Sequence, residues 1–239
     1  MKTLVVPDVH VPFHSRKAVR KLLEVLHKEG PEQVVFLGDV CDFHALTVHR
    51  QQPDWQDNLV KECKAVEKFL DKVRAAAPNS DITIIEGNHE DRWNRMVQGR
   101  IPAMRLLGVD WDKFVGCDKN FIHVARRPVI IPCGQGQRVQ LLHGHEVKGT
   151  SKLPSGHALK IAEKSGMNTH IGHTHRFGLT STFVGGKQLF AIEGGFLADW
   201  RSSAFSYAGS GIARPHWVQM LSLYDAEDHT SPFPKFITA

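Results

Sequence analysis

No apolar stretch in this chain of 239 residues approaches the roughly 20 needed to cross a bilayer. Nor does the N-terminus carry a signal-peptide pattern, since it runs straight into a strand-like segment, Thr3 to Val6. The expected location is therefore cytoplasmic, with no membrane partner. Cysteine is scarce: the four, at positions 41, 63, 117 and 133, form no CxxC pair and no closely spaced set. Such spacing argues against a disulfide framework and for reduced, buried thiols. There is no internal repeat and no low-complexity linker, so a single domain over residues 1–239 is expected. A long basic run or arm is also missing. The net charge of +5 and pI near 9.1 come from scattered residues such as Lys17, Arg20, Lys21, Arg126 and Arg127. That balance suits an anionic substrate without singling out nucleic acid.

What the chain does hold is histidine, fifteen in all. Five of them fall in short polar clusters that each follow an apolar run: Asp8-Val9-His10, Gly38-Asp39-Val40-Cys41-Asp42, Gly87-Asn88-His89-Glu90, His143-Gly144 and Gly172-His173-Thr174-His175. The runs before them, Thr3–Val6, Gln33–Leu37, Ile82–Ile85, Val139–Leu142 and Thr169–Ile171, have the length and bounding residues of buried strands. In open α/β sheets, sites gather beyond the carboxyl ends of such strands. Five strand ends can thus deliver carboxylate, amide and imidazole to one place, the ligand set of a divalent metal pair. The pattern points to a two-metal hydrolase.

Between the clusters, Ser15 is placed to cap a helix over Arg16–Lys28, which Gly30-Pro31 ends. A polar segment, Gln51 to Asp57, leads into a helix whose Leu59, Cys63, Val66, Leu70 and Val73 share one face. A third helix is predicted from Asp91 to Val97, and another between Ser155 and Lys164. Strand and helix alternate up to about residue 120, which predicts parallel pairing. Later runs at Pro128–Ile131, Val139–Leu142, Leu179–Val184, Leu189–Ile192 and Trp217–Leu223 are joined by short turns, with Gly185-Gly186 as a hairpin signal. The predicted fold is α/β: two mixed β-sheets packed face to face, with helices outside.

In this order the five clusters resemble the calcineurin-like metallophosphoesterase superfamily, over Asp8 to His175. The resemblance implies that Asp8, His10 and His175 hold one metal and that Asn88, His143 and His173 hold the other, with Asp39 bridging. His89 would be the acid, oriented by Asp42. Two metals about 3.5–4 Å apart clamp an in-line displacement and acidify water. A carboxylate at Asp39 keeps two cations close, and Asn88 adds an oxygen ligand without further negative charge. Mixed nitrogen and oxygen ligation suits manganese first, with iron, zinc, nickel or cobalt as alternatives, and suits magnesium poorly.

Neighbouring residues have competing readings. His145 could replace His143, but the strand ends at Leu142, which favours the first histidine. Glu90 opens a helix, where an acidic side chain is favoured on structural grounds. The run Gly-Asn-His-Glu-x-Arg also occurs in protein Ser/Thr phosphatases of the superfamily, which implies a phosphate-binding role for Arg92, against the alternative of a solvated helix arginine. His14, His44, His49, His157 and His170 read as surface or packing residues. Asp199, Trp200, Arg201 and His216 could rim the cleft, and the stretch Phe196–Pro215 could cover it.

Departures from the family pattern leave the substrate open. Asp42 is followed by Phe43-His44 where the Ser/Thr phosphatases have Arg-Gly, and the final Gly-His-Thr-His matches the phosphodiesterase and nuclease branches. Repair nucleases usually have Asp at the position of Glu90, and the chain has no room for their capping domain. The expected function is hydrolysis of a phosphodiester, such as a nucleotide or nucleic-acid end, by metal-activated hydroxide with a histidine acid. The alternatives are a phosphomonoesterase or protein phosphatase and, behind both, a catalytically silent binding scaffold. The sequence does not fix the oligomeric state.

Overall fold

This computed structural model describes residues 1–47, 59–101, 103–149, 151–202, 204–205 and 216–239. In chain order its first half contains β1 (Lys2–Val6), α1 (Arg16–Glu29), β2 (Gln33–Phe36), α2 (Leu59–Ala76), β3 (Asp81–Ile85), α3 (Glu90–Trp93), α4 (Ala103–Leu106) and α5 (Trp111–Phe114). Then come β4 (Ile122–Ala125), β5 (Val129–Pro132), β6 (Arg138–Leu142), α6 (Gly156–Ser165) and β7 (Asn168–Ile171). The hairpin β8 (Phe177–Val184) and β9 (Lys187–Gly194) precedes β10 (Met220–Asp225) and β11 (Lys235–Thr238).

The strands form two mixed sheets. One has six strands in the order β11-β10-β1-β2-β3-β4, and the other five in the order β5-β6-β7-β9-β8. Strands β1 to β4 run parallel to one another, while β10 is antiparallel to β1. In the second sheet β7 runs parallel to both β6 and β9. Side-chain alternation explains why the sheets stack. Leu4, Val6, Val34 and Phe36 face a core shared with α1 and α2, whereas Val5, Val35 and Leu37 meet Val139, Leu141, Phe190 and Ile192 from the opposite sheet. A third core lies between the second sheet and α6, through Ala158, Ile161 and Ala162. Strands buried on both faces must be apolar throughout, which is why these runs lack the alternation of half-exposed strands. The two sheets with helices outside are as the sequence predicts.

Local signals set the elements that carry the site. Ser15 accepts the Ala18 N–H at 3.2 Å to start α1, and Gly30, left-handed at φ 53, returns its N–H to the Leu26 carbonyl. The helix expected from Asp91 begins one residue earlier and passes into a π-helical turn, Asn94–Gln98. The last long run pairs as Met220–Asp225 rather than from Trp217, and β4 and β11 have no counterpart among the expected strands. All four cysteines are free and buried. The predicted polar segment Gln51–Asp57, His49 and most of the stretch 203–215 lie outside the described residues. Among the described residues, no helix is long and apolar enough to cross a membrane.

Candidate metal centre

The five clusters converge just past β1, β2, β3, β6 and β7. Their backbones are bent for that purpose: His10, Asp39, His173 and His175 all have positive φ, at 53°, 49°, 66° and 58°. Left-handed backbone is costly for such residues and persists where surrounding structure imposes it, commonly at functional sites. Glycine permits the close approach. A Cβ at Gly38 would lie 2.7 Å from His143 Nδ1, and one at Gly172 would lie 2.6 Å from Asp8 Oδ2.

Two groups of donor atoms result. Asp8, His10 and His175 offer ligand atoms within 4.8 Å of one another, as do Asp39, His143 and His173. In the first group His10 Nε2 and His175 Nε2 face each other at 3.0 Å. In the second, Asn88 Oδ1 lies 2.9 Å from His143 Nε2 and 2.8 Å from His173 Nδ1. Asp39 stands between them. Its Oδ2 is 3.4 Å from His143 Nε2, 3.8 Å from His10 Nε2 and 3.8 Å from His89 Nε2.

Outer partners aim these atoms. His143 Nδ1–H donates to the Leu37 carbonyl at 2.8 Å, which leaves Nε2 as the lone-pair nitrogen. His10 Nδ1 bonds Asp42 Oδ1 at 2.9 Å, with the same consequence for its Nε2. Asp8 accepts the His173 backbone N–H at 2.9 Å and 3.0 Å on its two oxygens. Carboxylates and carbonyls behind imidazoles are what metal-binding histidines usually have.

The electrostatics fit cations in both groups. Burial pushes the Asp8 carboxyl up to about 6, against the pull of His143. Burial alone would lower His143, yet the carboxylates of Asp39 and Asp8 raise it to about 10, so the pocket attracts positive charge strongly. A divalent metal satisfies that field while leaving the imidazole neutral and able to ligate. His173, pushed down to about 4 by burial, and His175, held well below its ordinary value by burial and by His10, are already in the neutral form.

His89 and Arg92 sit beside Asp39. His89 Nδ1–H donates to the Asp42 carbonyl at 2.8 Å, with Asp42 Oδ1 at 3.2 Å. Burial lowers its pKa, but Asp39 and Asp42 outweigh this and raise it. Arg92 donates from Nη1 to the Asp42 carbonyl at 2.9 Å, and its Nη2 is 3.0 Å from His89 Nε2. His10, Asp42 and His89 make a third close group, which shares His10 with the first. His145 lies beside the second group, its ring 5.2 Å from that of His143, with its Nδ1 directed toward Glu146 Oε2 at 3.8 Å.

The chain belongs to the calcineurin-like phosphoesterase family, whose Metallophos profile matches residues 1–177. Among curated proteins it is similar to the Gene 54 protein of Mycobacterium phage D29, with 25% identity over 221 residues, 85% of this chain and 82% of that protein. The Gene 54 protein of phage L5 is 23% identical over 222 residues, again 85% and 82% of the two chains. Solved structures of similar shape include a single mutant of Vps29 from Entamoeba histolytica, at 16% identity and TM-score 0.49 over 100% of this chain and 98% of that one. Another is the phosphoesterase YfcE from E. coli, at 15% identity and TM-score 0.45 over 100% and 99%.

Two features of the site were not foreseen from the sequence, and a third was foreseen only in part. Glu90, fully buried, accepts N–H groups from Asp39, Cys41 and Gly87 at 2.8–2.9 Å, so it clamps two of the clusters instead of only favouring a helix dipole. Glu193 at the end of β9 binds Thr174 and Arg176 around the last cluster. Phe196, Phe205 and Trp217 wall off His175, which stacks on Phe196 at 5.2 Å and 15°. The strand-end grammar that located the clusters also applies to Glu193-Gly194-Gly195, which follows the apolar run Leu189–Ile192. Of the aromatic wall, Phe196 and Phe205 come from the stretch expected to cover the cleft, while Trp217 carries no such signal.

Proposed function

We propose that this chain is a dinuclear-metal phosphoesterase that hydrolyses a phosphate ester, with phosphodiesters as the favoured class. The observation that carries the reading is the single Asp39 oxygen facing His143, His10 and His89 at 3.4 to 3.8 Å. A carboxylate placed so can serve both donor groups. Asp8, His10 and His175 would hold one cation, and Asn88, His143 and His173 the other. Manganese is the first choice. When bound, such metals supply Lewis acidity to phosphate oxygens and lower the pKa of water.

The remaining work falls to the chain. His89 keeps Nδ1–H on Asp42, and its Nε2 accepts an Arg92 N–H. Once a substrate oxygen draws Arg92 away, Nε2 would be the atom that carries and delivers a proton to the leaving oxygen. The Asp42 carboxylate beside Nδ1 favours the protonated ring. Arg92 supplies N–H donors next to Nε2, where an incoming phosphate oxygen can compete for them. The buried walls around Asp8 and His143, each 0% exposed, keep bulk water from screening these charges. A nucleic-acid substrate would be recognised by binding that falls steeply with salt, and a compact phosphate ester by binding that does not.

Arg92 beside His89 favours a second reading, a phosphomonoesterase, because a monoester carries the extra negative charge. The two are separated by stripping the protein with chelator, restoring Mn2+, and comparing hydrolysis of bis-p-nitrophenyl phosphate with that of p-nitrophenyl phosphate. Faster diester turnover that depends on Mn2+ supports the first reading, and faster monoester turnover supports the second. Activity toward neither ester would leave the binding scaffold.

A further inference from the structure

We propose that Glu193 is a positioning residue for the metal centre, an inference that rests on the two-metal reading above. Glu193 is 0% exposed, and its carboxylate accepts three hydrogen bonds and makes one further close ion-pair contact with Arg176. Oε1 takes the His157 backbone N–H at 3.1 Å and Arg176 Nη2 at 3.0 Å. Oε2 takes the Thr174 hydroxyl at 2.9 Å, and Arg176 Nε lies 3.0 Å from it as an ion pair. These donors engage both oxygens of an ionised carboxylate.

Each partner leads to the site. Thr174 lies between His173 and His175, both held in left-handed backbone. Arg176 follows His175 and ties the same segment to the Ser151 carbonyl at 2.7 Å. His157 is the second residue of α6, where Ser155 makes no side-chain cap, so the Glu193 carboxylate meets an N–H that the helix leaves free. The His157 ring then donates from Nε2 to the Gly144 carbonyl at 2.8 Å, next to His143. One carboxylate therefore reaches the backbone around His143, His173 and His175, from both donor groups.

The platform beneath it is rigid. Glu193 is registered against Ile171 of β7 and Gly178 of β8, with a strand on either side. A glutamine fits the space but not the bonding. It offers one accepting oxygen where two are used, and it turns its own N–H donors toward groups that are also donors. Loss of partners bonded to the ligands themselves typically weakens metal binding by about 10–100-fold. That range bounds the effect of Glu193, which acts through the residues beside them.

The test is calorimetric titration of the metal-stripped native and Glu193→Gln chains with Mn2+, with thermal melting of the metal-free proteins alongside. The expected result is two ions bound by the native chain and affinity lowered by up to about 100-fold in the folded variant. A variant that melts earlier yet binds Mn2+ with native affinity would overturn the positioning role, since a merely structural group behaves that way. A native chain that binds no Mn2+ would instead overturn the two-metal reading, and this is seen before any variant is made. If Glu193→Gln does not fold, Thr174→Val decides the matter. It removes one hydroxyl donor, so weaker Mn2+ binding supports the proposal and native affinity overturns it.

Discussion

His10 Nδ1 and Asp42 Oδ1 lie 2.9 Å apart, both side chains almost sealed from solvent. Asp42 was expected to orient His89, and the same oxygen is also 3.2 Å from His89 Nδ1. Burial works against its charge, but His89 and the bonds from His10, His44 and His89 hold the carboxyl well below its ordinary range. The ionised group thus serves a proposed metal ligand and the proposed acid together. Asp42→Asn should lower kcat and also weaken Mn2+ binding, each by about 10–100-fold. His89→Asn should lower kcat by about 10²–10⁴-fold and leave Mn2+ affinity near native. Parallel titration and turnover measurements separate the two, and equal effects on both variants would contradict the dual role of Asp42.

Arg92 bridges the Asp42 carbonyl and His89 Nε2 at 2.9 Å and 3.0 Å. Its replacement by alanine should reduce turnover of p-nitrophenyl phosphate more than that of bis-p-nitrophenyl phosphate, because the monoester brings the larger charge. Equal losses would show that Arg92 only holds Asp42 and His89 in place.

Glu90 makes its case through stability. Burial, together with the Asp39 charge, pushes its carboxyl up to about 7, while N–H groups from Cys41 and Gly87 oppose the shift. Glu90→Gln keeps one acceptor and presents an N–H where another is needed. The expected cost is about 1–3 kcal/mol, read from chemical denaturation of the metal-free protein. An unchanged midpoint would remove the clamp.

A pH effect follows from His170, which lies in β7 with Nδ1 3.0 Å from the Tyr224 hydroxyl. Burial pushes its pKa from 6.5 down to about 3. The unfolded chain takes up this proton below about 6.5, and the folded chain refuses it until about 3. Between those values the unfolded state binds more protons, so stability falls as pH falls, by up to ~1.4 kcal/mol per pH unit. Denaturation midpoints across that window should show a shallower slope in His170→Gln than in the native chain. Identical slopes would mean that other groups set the acid limit.

How much was readable from the sequence follows from locality. The five clusters were visible because each is a strand end written in consecutive residues. The caps of α1 were visible for the same reason, with Ser15 and Gly30 flanking one apolar stripe. β11 was not, because Lys235–Thr238 is a short edge strand defined only by its pairing with Met220–Leu223. The Asp42–His10 contact spans 32 positions, and the Glu193–His157 contact spans 36. Both depend on how strand ends meet in space. Arg92 was singled out through family likeness, while its bond to Asp42 needed the fold.

The central claim is that Asp39 serves two metals at once. Its most direct test is Mn2+-supported hydrolysis of bis-p-nitrophenyl phosphate by the native chain beside Asp39→Asn. If Asp39 serves both metals, turnover in the native chain vanishes on chelation and is lost in the variant. Turnover that survives in Asp39→Asn would contradict it.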